Sequence, residues 1–270
     1  MSDQAIPSSP VQVIKPQLSR DDWIMRAFIL GIGVWLVITL LFPLYAMLSK
    51  SFQNKGGLFI GFSNYVEYFS TPALFNSIEN SFFIAIVSTC ITISLASVFA
   101  YVLARSTIPC KGLFKGVALL PLLAPSLLPG ISFVYWFGRQ GVLKSVMGDA
   151  SIYGPIGIIM GEVFYTFPHA LMILIAAFSI ADGRLYEAAD VLRTGRIRTF
   201  FTVTLPGIKY GLICAIFVVF TLVITDFGIP KVIGGQFNVL ATDIYKQVIG
   251  QQNFEMGAVV SVVLLIPAIV

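Results

Sequence analysis

The chain has 270 residues, of which 57% are hydrophobic and only 11% charged, with a mean hydropathy of +0.90 and a formal net charge of +4. Soluble domains carry about 25% charged residues, so this composition excludes an ordinary soluble globule and places the chain in a bilayer. Cys90 and Cys214 fall in apolar runs and Cys110 in a short loop, with no CxxC or metal-ligand spacing, which excludes a disulfide framework and a metal site.

A transmembrane helix needs about 20 consecutive apolar residues. Six apolar runs are read in chain order: Trp23 to Leu48, Ser81 to Leu103, Leu113 to Phe137, Ile156 to Ile180, Leu212 to Val232 and Met256 to Val270. The expected organisation is a cytoplasmic polar tail over 1–22, a first transmembrane helix over 23–48, a periplasmic segment over 49–80 and a core domain over 81–270. The first run is far longer than the core of a signal peptide, and no A-x-A-like cleavage site accompanies it. It is read as a permanent helix. The last run is short of a span and closes on PAIV without charge or turn, so the sequence is expected to be part of a longer chain. The fold class that follows is all-α, a polytopic membrane protein of about six helices with the last one cut short.

Lys and Arg accumulate in cytoplasmic loops. With the N-terminus inside, eleven basic residues fall on the cytoplasmic face, among them Arg20, Arg26, Arg105, Lys111 and Arg184 to Lys209, against six on the other. Topology therefore accounts for most of the positive charge, and nucleic acid is not implied as a partner.

The third run contains PLLAPSLLPG, in which Pro121, Pro125 and Pro129 are spaced four apart and are expected on one helical face. Each proline removes a backbone donor and kinks or breaks a helix, and irregular backbone at membrane depth is tolerated only where protein or a water-filled cavity surrounds it. A translocation pathway and simple packing kinks both fit. In the fourth run, Gly157 and Gly161 allow a neighbouring helix to approach closely, and Glu162 is an ionisable group within a span, which is costly without a partner. His169, the single histidine, reads more readily as a packing residue than as a proton carrier. In the fifth run Asp226, with Gly228 and Pro230, forms an acid at a potentially unwound turn: either a pathway or gate element, or a carboxylate satisfied by Lys231 or by backbone amides.

Between the fourth and fifth runs lies EAADVLRTGRIRTFFTVTLP, residues 187–206. Leu185, Ala188, Ala189 and Leu192 recur at helical spacing, Gly195 offers a turn, Ile197, Phe200, Phe201 and Thr204 repeat the pattern, and Pro206 marks the expected start of the next helix. The segment over 184–206 reads as two short helices joined at a glycine. Such an exposed, partly apolar pair either lies on lipid headgroups or docks in a groove of another protein.

This stretch resembles the EAA loop of ABC importer permeases of the binding-protein-dependent, type 1 class. Glu187, Ala188, Ala189, Leu205 and Pro206 match the family pattern at its full spacing, and Val203 takes the apolar position before LP. Arg193 stands where the family glycine is expected and Gly195 follows two residues later, so a shifted turn is anticipated. TDFGIPKVIGG (225–235), LATDIYKQ (240–247) and PLLAPSLLPG are similar to the branch serving ferric iron, polyamines and phosphonates, and within it to permeases for 2-aminoethylphosphonate. The resemblance implies a coupling loop that fits a cytoplasmic ABC ATPase dimer, delivery of solute by a periplasmic binding protein, a second permease half, fused or separate, and residence in the bacterial inner membrane. It also implies that this chain binds no cofactor and performs no bond chemistry, ATP and Mg being used by the ATPase. No P-loop appears in the sequence, nor any HExxH or GxSxG pattern. The alternative is an ion-coupled secondary transporter with Glu162, His169 and Asp226 as its relay, which leaves the EAA match unused.

Overall fold

The computed structural model describes residues 19–148 and 150–269. Most of the expected polar tail, Lys15 included, and Val270 lie outside the described residues. Contacts divide the chain into two units, residues 1–47 and 48–270. The first holds α1 (Arg20–Leu36) and a π turn at Val37–Leu41, and α2 (Phe42–Ser51) carries the chain across the boundary into the second. Ser19 starts α1: its Oγ accepts from the Asp21 amide, and the Asp22 carboxylate accepts from the Ser19 amide at 2.9 Å, a reciprocal cap that satisfies donors no helical carbonyl reaches. Phe28 and Trp35 are 68% and 66% exposed, as suits side chains facing hydrocarbon.

The second unit continues with α3 (Ser63–Ser70), α4 (Pro72–Arg105), α5 (Lys111–Leu119), α6 (Leu127–Phe137), α7 (Lys144–Met147), α8 (Pro155–Ile180), α9 (Arg184–Val191), α10 (Arg196–Thr199), α11 (Leu205–Thr225), α12 (Gly228–Ile233), α13 (Leu240–Tyr245) and α14 (Phe254–Ile269). Its core is the mutual packing of α4, α8 and α11, with Ala85, Ala96, Leu171, Leu174, Ala215 and Val219 buried between them. Small side chains set the closeness. A Cβ at Gly211 would stand 2.3 Å from that of Ala177, so α8 and α11 approach nearer there than two ordinary residues allow.

Among the described residues, four helices are long and apolar enough to cross a membrane: Arg20–Ser51, Pro72–Arg105, Pro155–Ile180 and Arg196–Thr225. The third expected run is not one rod. Lys111–Leu123 and Leu127–Phe137 meet at a bend of 104°, and they make a fifth crossing only if counted together. This corrects the placement of its prolines on a single face: Pro121 lies in a 3-10 turn, Pro125 in the break and Pro129 inside α6. The fifth run divides as well, α11 ending at Thr225 and α12 beginning at Gly228. The sixth, Phe254–Ile269, spans 16 residues.

Pro206 stands in the first turn of α11, as expected, but the chain does not break before it. One helix runs from Arg196 to Thr225, with a π turn at Phe200–Thr204 just before the proline. A proline ring collides with the carbonyl four residues back, which here belongs to Thr202, and a π turn opens the ladder at that point. Pro43 stands in the same relation to the π turn at Val37–Leu41.

Cross-contacts define two ends of the bundle. At one, the start of α4 meets the 238–243 segment through Asn80 and Ser81, and the Gly154 amide donates to Ile233 O. At the other, Arg105 at the close of α4 meets Ala181 and Tyr186. Helices α4 and α8 therefore run parallel, and the EAA segment lies at the opposite end from residues 233–243.

Candidate functional site

The EAA segment forms α9, then a tight turn, then α10. Arg184 opens it, its amide donating to Asp182 Oδ1 at 2.9 Å. Within α9 only Ala189 is buried; Glu187 and Ala188 are exposed. Val191, Leu192, Ile197 and Phe201 are also exposed, at 62% to 83%. An isolated eight-residue helix is marginal in water, so its tethers matter. The Arg105 guanidinium lies 4.1 Å over the Tyr186 ring and donates to Ala181 O at 3.4 Å. Thr194 Oγ1 donates to Ala189 O at 2.8 Å and meets Thr199 Oγ1 at 3.0 Å. The result is a small, fixed helix pair presenting carboxylate, guanidinium and apolar groups outward.

The turn is not shifted. Arg193 takes the left-handed conformation with φ of 52°, while Gly195 is extended at φ −64° and ψ 148° and caps α10. The left-handed residue thus occupies the position where the EAA pattern expects glycine, and an arginine bears the strain there. Gly195 needs no special freedom, since a Cβ on it would touch nothing within 4 Å. Leu205 and Pro206 lie at the start of α11, beyond the π turn, and Thr204 is buried beside them.

The second cluster joins the two proline-bearing stretches. Asp226 follows the last residue of α11, and its Oδ2 accepts from the Ile229 amide at 2.9 Å, the backbone-satisfied alternative. Lys231 is not its partner; that ammonium lies 4.0 Å over the ring of Tyr245. Helix α12 wedges between α6 and α8. A Cβ on Gly228 would stand 2.4 Å from Ser126 Oγ, one on Gly130 would be 3.4 Å from Ile229 Cα, and one on Gly161 would be 2.7 Å from Ile229 Cγ2. Pro129 and Pro230 are both buried in this contact. The Gly157 and Gly161 pair therefore serves the short helix α12 rather than a full neighbouring span, with Ile233 against Gly157. Pro121 lines an apolar cavity of about 750 Å³ with Leu95, Val117, Phe164 and Phe167, and shares a second, of about 490 Å³, with Pro129. Pro125 is exposed, so the three prolines share no single lining.

His169 is a packing residue: its Nδ1 meets Tyr165 O at 3.2 Å and its ring lies against that of Tyr165. Glu162 is fully buried on α8.

Sequence reading passed over a polar joint at the end opposite the EAA segment. Ser77 Oγ donates to Asp243, Ser81 Oγ accepts from the Leu240 amide at 2.8 Å, and Asn80 Nδ2 donates to Asn238 O at 2.9 Å. Burial pushes the Asp243 carboxyl up from its ordinary value, while the Ser77 hydrogen bond and the Lys246 charge pull it down. Burial and then the Asp243 charge push the nearby Tyr68 phenol up. The signal was available in Ser77, Asn80 and Ser81, which recur on one face where α4 overhangs its apolar stretch.

A helical bundle with a tethered, outward-facing EAA helix at one end and a short helix wedged into its core suits an importer's membrane component. The chain belongs to the family of binding-protein-dependent transport system inner membrane components, which it matches over residues 93–270. It is 28% identical over 184 residues to the ferric transport system permease protein FbpB of Actinobacillus pleuropneumoniae, a match covering 66% of this chain and 26% of that protein. It is 30% identical over 156 residues to the molybdenum transport system permease protein ModB of Azotobacter vinelandii, covering 56% and 69%. The chain thus spans about a quarter of the length of the ferric relative. Its fold is that of a chain in the bacterial alginate ABC transporter crystallised with an alginate-pentasaccharide-bound periplasmic protein, with a TM-score of 0.75, 18% identity and 93% of each chain covered.

Proposed function

We propose that this chain is the membrane-spanning permease part of an ATP-driven importer, with α9 as the element that docks on a cytoplasmic ATPase. The observation that carries the reading is α9 itself: exposed Glu187 and Ala188, with exposed Val191 and Leu192, on a helix tied to α4 through Arg105 and Tyr186. A surface with apolar and charged groups interspersed suits a protein groove, and a tether to the longest helix of the bundle gives motion at that surface a path into the membrane. The Lys and Arg asymmetry supports a cytoplasmic N-terminus with α9 on the same side. A periplasmic binding protein would then meet the end holding residues 233–243, and the short helix α12 with Asp226, Gly228 and Pro230 would serve as the gate. A second permease half completes the assembly, and ATP and Mg stay with the ATPase.

For the solute we propose 2-aminoethylphosphonate, on the strength of the 225–235 and 240–247 stretches. Relatives named for ferric iron, molybdenum, spermidine or putrescine, and sulfate make these the competing solutes. Family membership favours the importer over an ion-coupled secondary transporter. Reconstitution of the full-length protein with its ATPase and binding protein in vesicles tests both parts. ATP-dependent uptake of labelled 2-aminoethylphosphonate is expected; ATP-dependent uptake of iron, polyamine, molybdate or sulfate in its place would replace the solute, and uptake without ATP would overturn the importer reading.

A further inference from the structure

Glu162 has no exposed surface, and neither of its carboxylate oxygens has a hydrogen-bond partner. The acid that faces it, near enough for the two carboxyls to share a proton, is Asp226, whose Oδ2 is also engaged by the Ile229 amide. Two further buried oxygens lie on α4, the helix packed against α8. The hydroxyls of Ser88 and Thr89 on α4 are buried and unpartnered. Thr92 Oγ1 meets Thr166 Oγ1 at 3.2 Å across the α4–α8 contact. Because the two helices run parallel, Ser88 and Glu162 each stand one turn before that pair, at matching height.

No protein cation answers these acids. The one salt bridge among the described residues is Lys50–Glu255. Around Glu162, the Tyr165 phenol lies near both acids, Lys231 is held over Tyr245, His169 faces the Tyr165 carbonyl, Glu79 and Arg105 lie toward opposite ends of α4, and Lys209 lies at the start of α11. Lys111 and Lys115 open α5, which follows the far end of α4. A buried carboxylate without a counter-charge or hydrogen bond is strongly unfavourable, and within a membrane span an ionisable residue finds a partner or marks an ion site. Carboxylate and hydroxyl oxygens are the hard ligands that small hard cations select.

We propose that Glu162 and Asp226, with the hydroxyls of Ser88 and Thr89, form a site for one monovalent cation, a proton or an alkali-metal ion, that holds the short helix α12 against α8. Asp226 caps α12 and Glu162 adjoins Gly161, on which Ile229 of α12 is seated. With the positive charge in place the two acids attract across the contact; without it they repel and α12 is released. The site requires that the chain be folded in a membrane, and it does not depend on which solute is carried.

The test uses the assembled full-length transporter in lipid, read by binding rather than by uptake, so that its failure is separate from failure of the importer reading. Radioactive sodium binding and the infrared band of a protonated carboxyl, followed through a pH titration, are compared between the wild type and Glu162→Gln. Saturable sodium binding lost in the variant identifies an alkali ion; a carboxylic-acid band lost in the variant identifies a proton. Absence of both in the wild type, or their persistence in Glu162→Gln, overturns the site. If Glu162→Gln does not assemble, Asp226→Asn is read by the same two measurements.

Discussion

The guanidinium of Arg105, at the end of α4, lies 4.1 Å over the ring of Tyr186 in α9. The Arg105 Nε and the Tyr186 hydroxyl are both buried without a hydrogen-bond partner, so stacking, together with the bond to Ala181 O, is what joins the two helices. A desolvated cation–π contact of this kind is worth about 1–2 kcal/mol. Arg105→Lys keeps the charge and loses the planar stack. It is expected to leave the bundle's thermal stability nearly unchanged while raising amide exchange in α9 by roughly tenfold, a factor that corresponds to about 1.4 kcal/mol. Unchanged exchange across 184–191 would show that α9 is held by something else.

The turn after α9 makes a different prediction. A non-glycine residue in the left-handed region costs roughly 1–2 kcal/mol, and Arg193 sits there while Gly195 does not. Arg193→Gly should therefore stabilise the segment by up to about 1 kcal/mol, and Gly195→Ala should be close to neutral. Limited proteolysis at the turn compares them. Greater protection from Gly195→Ala than from Arg193→Gly would put the left-handed residue at the wrong place.

These two positions show where sequence reading stops. The helical character of nearly every element was legible, because apolar runs and EAA spacing are properties of the chain itself. The register of the turn was not: a glycine two residues away looked like the better candidate, and only the path of the backbone decides which residue takes positive φ. The same holds for PLLAPSLLPG. Spacing of four put Pro121, Pro125 and Pro129 on one face only as long as the helix continued, and a 104° bend between Leu123 and Leu127 removed the premise. Asp226 was legible as a residue in need of a partner, Lys231 or backbone amides, and the Ile229 amide is the one it has.

Close packing of α12 predicts a steric result. A Cβ at Gly228 would stand 2.4 Å from Ser126 Oγ and 2.6 Å from the Leu127 amide nitrogen. Overpacking of this sort costs about 1–3 kcal/mol, and backbone on one side leaves little room to yield. Gly228→Ala should lower the unfolding temperature of the purified protein and expose cysteines placed on α12 to labelling, while Gly116→Ala, where a Cβ meets nothing within 4 Å, should do neither.

The joint at the other end depends on pH. The Asp243 carboxyl is raised from its ordinary value of 3.8, chiefly by burial, so the folded state binds its proton more tightly than the unfolded state. Its contribution to stability is present below 3.8 and declines as pH rises through the raised value. Asp243→Asn keeps an acceptor for Ser77 without the charge. Thermal unfolding of the wild type should fall across that window, and the variant should be flatter there and more stable above it. A wild-type curve that rises with pH over the window, with the variant unchanged, would reverse the sign of the effect.

The account turns on α9 as the handle gripped by an ATPase. Glu187 is exposed on it and lies at the end opposite residues 233–243. The measurement is co-purification of the ATPase with full-length Glu187→Lys, with uptake assayed in the same vesicles. Charge reversal at a docking surface costs up to several kcal/mol. The expected result is at least a roughly tenfold loss of ATPase retention, tenfold being about 1.4 kcal/mol, with uptake lost in parallel and membrane abundance normal. Wild-type retention together with wild-type uptake would contradict the coupling assignment and leave α9 a solvated connector.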